Sequence, residues 1–266
     1  LNKNDMVRKA TWFTDMGYIA VVMNYATVSD IHTSITWFHG QANKYGGDVN
    51  RFAIYGYSWG GGNACSAALS GKDKTKMRAQ IIVAGASKGH VNMVGGSSPS
   101  TLLVHSRDDK TVPFVGSTAL EAALKKQGIS VDTLYYSKGG HSPQNVNPTE
   151  FVNKMKNFLG ARFGKLALSE TAADGNQTAS LLAAAENPES EDAVADEDGA
   201  ENAETASAEG VAEEVEPGSD DEPLDEEAAL LAQRTSAVTV AKDISYGSGN
   251  KKLDVYYDPA RSNQPV

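Results

Sequence analysis

A serine set among glycines, Gly56-Tyr57-Ser58-Trp59-Gly60, is the first stretch of this chain able to do covalent chemistry. The apolar run Phe52 to Tyr55 before it reads as a buried strand, and the small apolar residues Asn63 to Leu69 after it read as a packed helix. A serine on a sharp strand-to-helix turn has strained backbone angles, and the flanking glycines remove side chains that would clash there. Such a turn lifts the Ser58 hydroxyl clear of the sheet. It also presents the backbone N–H of Trp59 at the helix start, where a developing oxyanion can be held. Tyr57 and Trp59 are thus the candidate oxyanion or substrate-binding neighbours of the nucleophile. On its own, G-x-S-x-G is a weak signal; a base and an acid must follow.

Both do. Thr101 to His105 reads as a strand running into Ser106-Arg107-Asp108-Asp109-Lys110-Thr111-Val112-Pro113, and Val131 to Tyr136 as a strand running into Gly139-Gly140-His141-Ser142. Loops at the carboxyl ends of parallel strands are where sites form in such sheets. A carboxylate on the first loop can orient a histidine on the second and stabilise its cation. The order Ser58, Asp109, His141 is nucleophile, acid, base. Asp108 is the alternative acid.

The elements that must position these residues alternate along the chain. Asp5 is a candidate N-cap for a helix that closes at Gly17, and Tyr18 to Met23 is apolar on both faces, as a central parallel strand requires. Asp30 is a candidate cap for a second helix ending at Gly46-Gly47. Further on, Ala79 to Ala84 is a strand, Gly116 to Gln127 a helix, and Pro148 to Leu159 a last helix with proline in its first turn. Strands alternating with helices predict an α/β fold with a doubly wound, mostly parallel sheet.

The formal charge of −10 is unevenly spread: roughly twenty acidic residues lie between Glu170 and Glu227, a stretch with no Lys or Arg. The rest is mildly basic without a dense basic cluster, which argues against a nucleic-acid partner. Cys65 stands alone, excluding an internal disulfide and a cysteine metal site. No apolar run is long enough to span a membrane. Residues 165–235 are rich in Ala, Glu, Asp, Ser and Gly and read as an acidic disordered linker. Residues 236–266 read as a β-hairpin, Ser236 to Ile244 and Lys251 to Tyr257, around the turn Gly247 to Asn250. Residues 1–164 form the catalytic region. The first residue is Leu1, and the chain reads as a fragment.

Residues 1 to 160 resemble the carboxyl-terminal two thirds of an α/β-hydrolase serine esterase. The similarity is to small carboxylesterase, feruloyl-esterase-like and kynurenine-formamidase-like enzymes, with the prolyl oligopeptidase catalytic domain further off. YGGDVNRFAIYGYSWGG is similar to their elbow, HSRDDKTVP to their acid loop and GGHS to their histidine loop. In that pattern the acid lies three residues before Val-Pro, which selects Asp109. The resemblance implies hydrolysis of a small ester through an acyl-enzyme, with neither cofactor nor metal. It also implies an alternative, a peptidase or amidase of the prolyl oligopeptidase type. A non-catalytic hydrolase-fold interaction module is the alternative from another class.

The terminal hairpin is similar to the amino-terminal hairpin of the same family. The strand that follows it there, whose backbone N–H groups complete the oxyanion hole, has no counterpart in the chain. Two arrangements fit: tandem modules cut inside the first and early in the second, or a circular permutation. In both, the central oxyanion strand is missing between Tyr18–Met23 and Phe52–Tyr57, and with one oxyanion donor the fragment alone is expected to be a poor enzyme. A flexible chain of roughly seventy residues spans about 45 Å, so the hairpin can fold back. It is expected to dock as an edge of the same sheet.

His39-Gly40 sits at a helix end and is set aside as an oxyanion motif. His105 reads as a structural residue at a strand end, His32 and His90 as surface or loop residues, and Cys65 as a small buried hydrophobe.

Overall fold

A computed structural model describes residues 3–70, 77–164, 238–248, 250–261 and 264–266. The acidic segment 165–235, expected to be a linker, lies outside the described residues, as do Ser236 and Ala237. In chain order the elements are α1 (Lys3–Asp15), β1 (Ala20–Met23), α2 (Val28–Gln41), β2 (Phe52–Tyr57), α3 (Ser58–Leu69), β3 (Met77–Val83), β4 (Ser100–Ser106), α4 (Val115–Lys126), β5 (Val131–Tyr136), α5 (Pro148–Phe163), β6 (Thr239–Ser245) and β7 (Lys252–Tyr257).

Strands β2, β3, β4 and β5 form a parallel sheet in that spatial order. Their residues alternate between two cores. Phe52, Ile54, Ile82 and Leu103 face Ile31, Phe38, Leu69 and Leu120 of α2, α3 and α4. Ile81, Val83, Leu102 and Val104 face Trp12 and Met16 of the α1 segment and Phe151, Met155, Phe158 and Leu159 of α5. A sheet buried on both faces explains why these strands read as nearly continuous apolar runs. The doubly wound expectation holds.

Two helix starts differ from the sequence reading. Asp5 lies inside α1. Asp30 is not the cap of α2 but its third residue: Thr27 is the N-cap, its hydroxyl accepts from the Asp30 N–H at 3.3 Å, and the Asp30 carboxylate accepts from the N–H groups of Ala26 and Thr27 at 3.0 Å. This reciprocal box satisfies donors that a helix start otherwise leaves open.

The terminal hairpin folds back onto the amino-terminal part of the chain. β7 pairs antiparallel with β1, Ala20 opposite Tyr256 and Met23 opposite Leu253, and β6 forms the outer edge. A bulge between Ala241 and Ile244 puts Asp243 at φ 52°, and the buried Asp254 carboxylate takes the Asp243 N–H at 2.8 Å. The hairpin is tied to α2 and to the segment that precedes it: Lys251 forms an ion pair with Asp30, and the Tyr246 hydroxyl donates to the Asn24 carbonyl.

The expected docking on the same sheet is met only in part, because β1 and β2 do not pair with each other. Between them sit Pro265 and Val266. The Ile19 N–H donates to the Pro265 carbonyl at 2.8 Å, the Ala53 N–H to the Val266 carbonyl at 2.6 Å, and the Val266 N–H to the Arg51 carbonyl at 2.9 Å. Beyond them the gap is a slot holding two adjoining cavities of about 130 and 210 Å³, both lined by Val21, Val22, Met23, Ile54 and Tyr55.

The Lys251–Asp30 pair makes hairpin docking acid-sensitive. The Lys251 ammonium holds the Asp30 carboxyl down to about 2 from its usual 3.8, helped by the Ala26 and Thr27 donors against the opposing effect of burial. A carboxyl depressed in the folded state contributes stability fully above its unfolded value, and that contribution is lost as pH falls through the folded one. Hydrogen-exchange protection of the β7 amides is therefore expected to fall between about pH 4 and pH 2. Lys251→Met should weaken that protection at neutral pH and return the Asp30 titration toward its usual range. Unchanged protection in the variant would show that the pair does not anchor the hairpin.

Candidate active site

Ser58 is the first residue of α3, directly after β2, with φ at 56°. A non-glycine residue in the left-handed region costs energy and persists only where its surroundings hold it. Here the surroundings are backbone. A Cβ on Gly56 would come within 2.5 Å of the Gly60 carbonyl oxygen, and one on Gly85 within 2.6 Å of the Ser58 carbonyl oxygen. Only glycine lets β2, the loop after β3 and the start of α3 pack this closely. The strand-turn-helix expected around Ser58 is what the structure contains, with α3 starting five residues earlier than Asn63.

The Ser58 Oγ lies 2.6 Å from His141 Nε2, and His141 Nδ1 lies 2.9 Å from Asp109 Oδ2. The carboxyl ends of β2, β4 and β5 thus bring one residue each to a single hydrogen-bonded line. Asp109 is buried, and its Oδ1 accepts from the backbone N–H groups of Thr111 and Val112 at 2.8 and 2.9 Å. Burial pushes its carboxyl up, but the His141 hydrogen bond, the Val112 and Thr111 donors and the His141 charge outweigh it and hold the pKa below its usual value. Asp108, the alternative acid, points elsewhere: its Oδ1 accepts from the Gly140 N–H at 2.9 Å and so shapes the histidine loop from outside.

Trp59 is two-thirds exposed (67%), and its ring stacks on Tyr25 at 5.8 Å with an interplanar angle of 5°. Its N–H belongs to the first turn of α3, where the backbone donors have no intrahelical acceptor. Tyr57 is buried. Its hydroxyl is 3.2 Å from Ser142 Oγ, its ring packs against the His141 ring at 5.4 Å, and the Lys9 ammonium sits over it at 4.6 Å. Tyr57 therefore braces the histidine loop. Tyr25, Tyr57, Ser58 and Trp59 all line the 210 Å³ cavity at the β1–β2 slot.

Three other histidines behave differently from one another. His32 and His90, expected at the surface or in loops, are buried. His32 Nε2 lies 2.8 Å from Ser70 Oγ. His90 Nε2 lies 3.1 Å from Ser66 Oγ, while its Nδ1 accepts from the Ser87 N–H at 3.0 Å. The serine partners Ser66 and Ser70 lie in α3 and at its C-cap, far along the chain from either histidine, and no periodicity announces the pairing. His105 is fully buried at the end of β4 with Nε2 3.0 Å from Asp109 Oδ2. Neither the Tyr25–Trp59 stack nor this contact was visible in the sequence. Cys65 is buried, as expected, and burial pushes its thiol pKa up, away from thiolate chemistry. Among the described residues no group of His, Cys, Asp and Glu is arranged to hold a metal ion, and no helix is long and apolar enough to cross a membrane.

Two family models match the chain: BD-FAE over residues 2–93, which include Ser58, and the prolyl oligopeptidase family over residues 86–166, which include Asp109 and His141. No curated protein matches. Among solved structures, the acetyl ester-xyloside bifunctional hydrolase from Caldicellulosiruptor lactoaceticus is similar at 18% identity and a TM-score of 0.50, covering 57% of this chain and 75% of that one. A carboxylesterase from Lactobacillus plantarum is similar at 15% identity and a TM-score of 0.50, covering 55% of this chain and 70% of that one. The fold is that of the α/β-hydrolases. The two family matches and these two structures liken the chain to hydrolases of that fold, esterases and peptidases among them.

Proposed function

We propose that the protein cleaves carboxylic esters through a serine acyl-enzyme, with Ser58 as nucleophile, His141 as general base and acid, and Asp109 as the carboxylate that orients the histidine. The observation carrying this reading is the unbroken line Ser58 Oγ, His141 Nε2, His141 Nδ1, Asp109 Oδ2, with contacts of 2.6 and 2.9 Å. In the first half-reaction Ser58 Oγ attacks the acyl carbon while its proton passes to His141 Nε2. The carbonyl oxygen gains a negative charge, for which the Trp59 N–H is the donor at hand. Collapse expels the alkoxide, which takes the proton back from His141. In the second half-reaction His141 deprotonates a water that attacks the acyl carbon, and the carboxylic acid leaves as Ser58 recovers its proton. Asp109 stays ionised throughout, holding the Nδ1–H tautomer and stabilising the transient imidazolium.

A peptidase or amidase of the prolyl oligopeptidase type is the second reading. What favours it is the prolyl oligopeptidase family match across the two loops that carry Asp109 and His141. The two structural neighbours are named as an acetyl ester-xyloside bifunctional hydrolase and a carboxylesterase, and an ester has the better leaving group for a site with one evident oxyanion donor.

The test is labelling with a fluorophosphonate, followed by p-nitrophenyl acetate against a matched p-nitroanilide. Labelling lost in His141→Ala, with turnover of the ester alone, supports the ester reading. Faster release of the anilide would replace it with the amidase reading. A folded chain that takes up no probe would leave a non-catalytic module.

A further inference from the structure

The Asp109 carboxylate is held from both sides by imidazoles. On one side is His141 Nδ1 at 2.9 Å; on the other, reaching the same oxygen Oδ2 at 3.0 Å, is His105 Nε2. His105 is fully buried, so this is no incidental surface contact. We propose that His105 is a positioning residue for the proposed reaction: its Nε2–H fixes Asp109 Oδ2 beneath His141 and tempers the charge that His141 feels. The proposal rests on the serine-hydrolase reading for its kinetic consequences, but not for its geometry.

The tautomer follows from the partners. His105 Nε2 faces two oxygens that only accept, Asp109 Oδ2 and the Val112 carbonyl, each at 3.0 Å, so this nitrogen carries the proton. Nδ1 is 2.7 Å from the Ser117 hydroxyl in α4, which donates to it. The buried Ser117 is thus the outer end of a line that runs through His105, Asp109 and His141 to Ser58. The backbone donors Thr111 and Val112 hold only Oδ1. On Oδ2 the hold is shared by two imidazoles, the partly exposed His141 that takes part in the reaction and the fully buried His105 that does not. By also gripping the Val112 carbonyl, His105 ties the acid loop to the strand that precedes it.

Charge follows geometry. A donor on Oδ2 draws negative charge away from the oxygen that His141 uses. Without it, Asp109 stabilises the His141 cation more strongly, and His141 keeps its proton to higher pH. Other charged or titratable groups near the line are Asp108 on the Gly140 N–H, Tyr57 against the His141 ring with Lys9 over it, and Arg107 over Phe114, whose ring edge meets His105. All are unchanged in the variants below.

The experiment follows the imidazole ring resonances by nitrogen–proton NMR between pH 5 and 9 in the wild-type chain, His105→Phe, His105→Gln and Ser117→Ala. Wild-type His105 is expected to carry its proton on Nε2. His105→Phe, which keeps the ring volume, should move the His141 titration upward by on the order of half to one pH unit. It should also lower kcat on p-nitrophenyl acetate about ten- to a hundredfold with little change in KM, and shift the acid limb of the rate profile upward. His105→Gln places an amide N–H where Nε2 stood and should recover most of both effects. A purely packing role would lower the rate, if at all, without moving the titration.

Bare Nε2 in the wild type overturns the proposal. So does a folded His105→Phe with an unmoved His141, or His105→Gln no better than His105→Phe. Should His105→Phe not fold, Ser117→Ala decides: a smaller upward shift supports the proposal, and none overturns it. The two readings fail separately. A wild-type chain inert to fluorophosphonate sinks the serine-hydrolase reading while the ring spectra still judge His105. Normal labelling with an unmoved His141 sinks His105 alone.

Discussion

Ser58→Ala is expected to abolish fluorophosphonate labelling and to lower ester turnover by on the order of 10⁴- to 10⁶-fold, while the chain stays folded. The hydroxyl contributes one hydrogen bond, to His141 Nε2, so its loss leaves a partly exposed ring nitrogen that water can satisfy. The backbone offers a second, opposite readout at the same position. Ser58 sits at φ 56°, a conformation that costs an L-residue about 1–2 kcal/mol and costs glycine little. Ser58→Gly should therefore be as inactive as Ser58→Ala yet more resistant to urea, by about 1 kcal/mol. Equal midpoints for the two variants would mean that the elbow is not strained. Residual turnover within tenfold of wild type in Ser58→Ala would place the nucleophile elsewhere.

Asp109→Asn is expected to be damaging out of proportion to the single atom exchanged. Four N–H groups converge on this carboxylate: Thr111 and Val112 on Oδ1, His105 and His141 on Oδ2. An asparagine offers one oxygen and one NH2. Turned one way, the NH2 meets two backbone donors that cannot retreat. Turned the other way, it meets two imidazoles, and His141 escapes only by moving its proton to Nε2, where it can no longer accept from Ser58. The expected fall in kcat is on the order of 10⁴-fold, with a loss of stability of about 1–3 kcal/mol from stranded buried donors. Kinetics on p-nitrophenyl acetate and urea unfolding measure the two effects. A variant with near-normal turnover would show that the acid is not Asp109.

That carboxylate also gives the site an acid limit. Since its folded pKa lies below the usual value, its stabilising contribution is complete above about pH 4 and is withdrawn as pH falls through the lower, folded value.

The candidate site was legible because its three members lie on short motifs at strand ends, where local sequence and local structure agree. Gly56 to Gly60, Asp109 before Val112-Pro113, and Gly139-Gly140-His141 each carry their own turn chemistry. The choice between Asp108 and Asp109 was less so, since adjacent carboxylates differ only in the direction their loop turns them. The structure separates them by partner: a backbone N–H for one, an imidazole for the other. The burial of His32 and His90 left no trace for a related reason, whereas His105 stands at a strand end as its place predicts. His32, His90 and His105 are each satisfied by a serine hydroxyl from another segment, and such pairing leaves no periodic trace. The helix cap at Thr27 was readable in principle, since Thr-x-x-Asp is close to a capping box, but Asp30 is itself a good cap residue and drew the boundary inward. The hairpin's alternation was plain; the bulge at Asp243 was not, because it depends on the Asp254 side chain across the ladder.

The pairing of the first strand with the last hairpin has a consequence for how the chain comes off the ribosome. Tyr246 and its partner Asn24 stand 222 positions apart. At translation rates of about 5–20 residues per second, β1 waits on the order of 10 to 40 seconds for its neighbour. The parallel sheet β2 to β5 and its helices are complete before the hairpin is made, whereas the β1–β7 ladder can form only at the end of that interval. The three-stranded sheet of β1, β7 and β6 is therefore the last part of the fold to close.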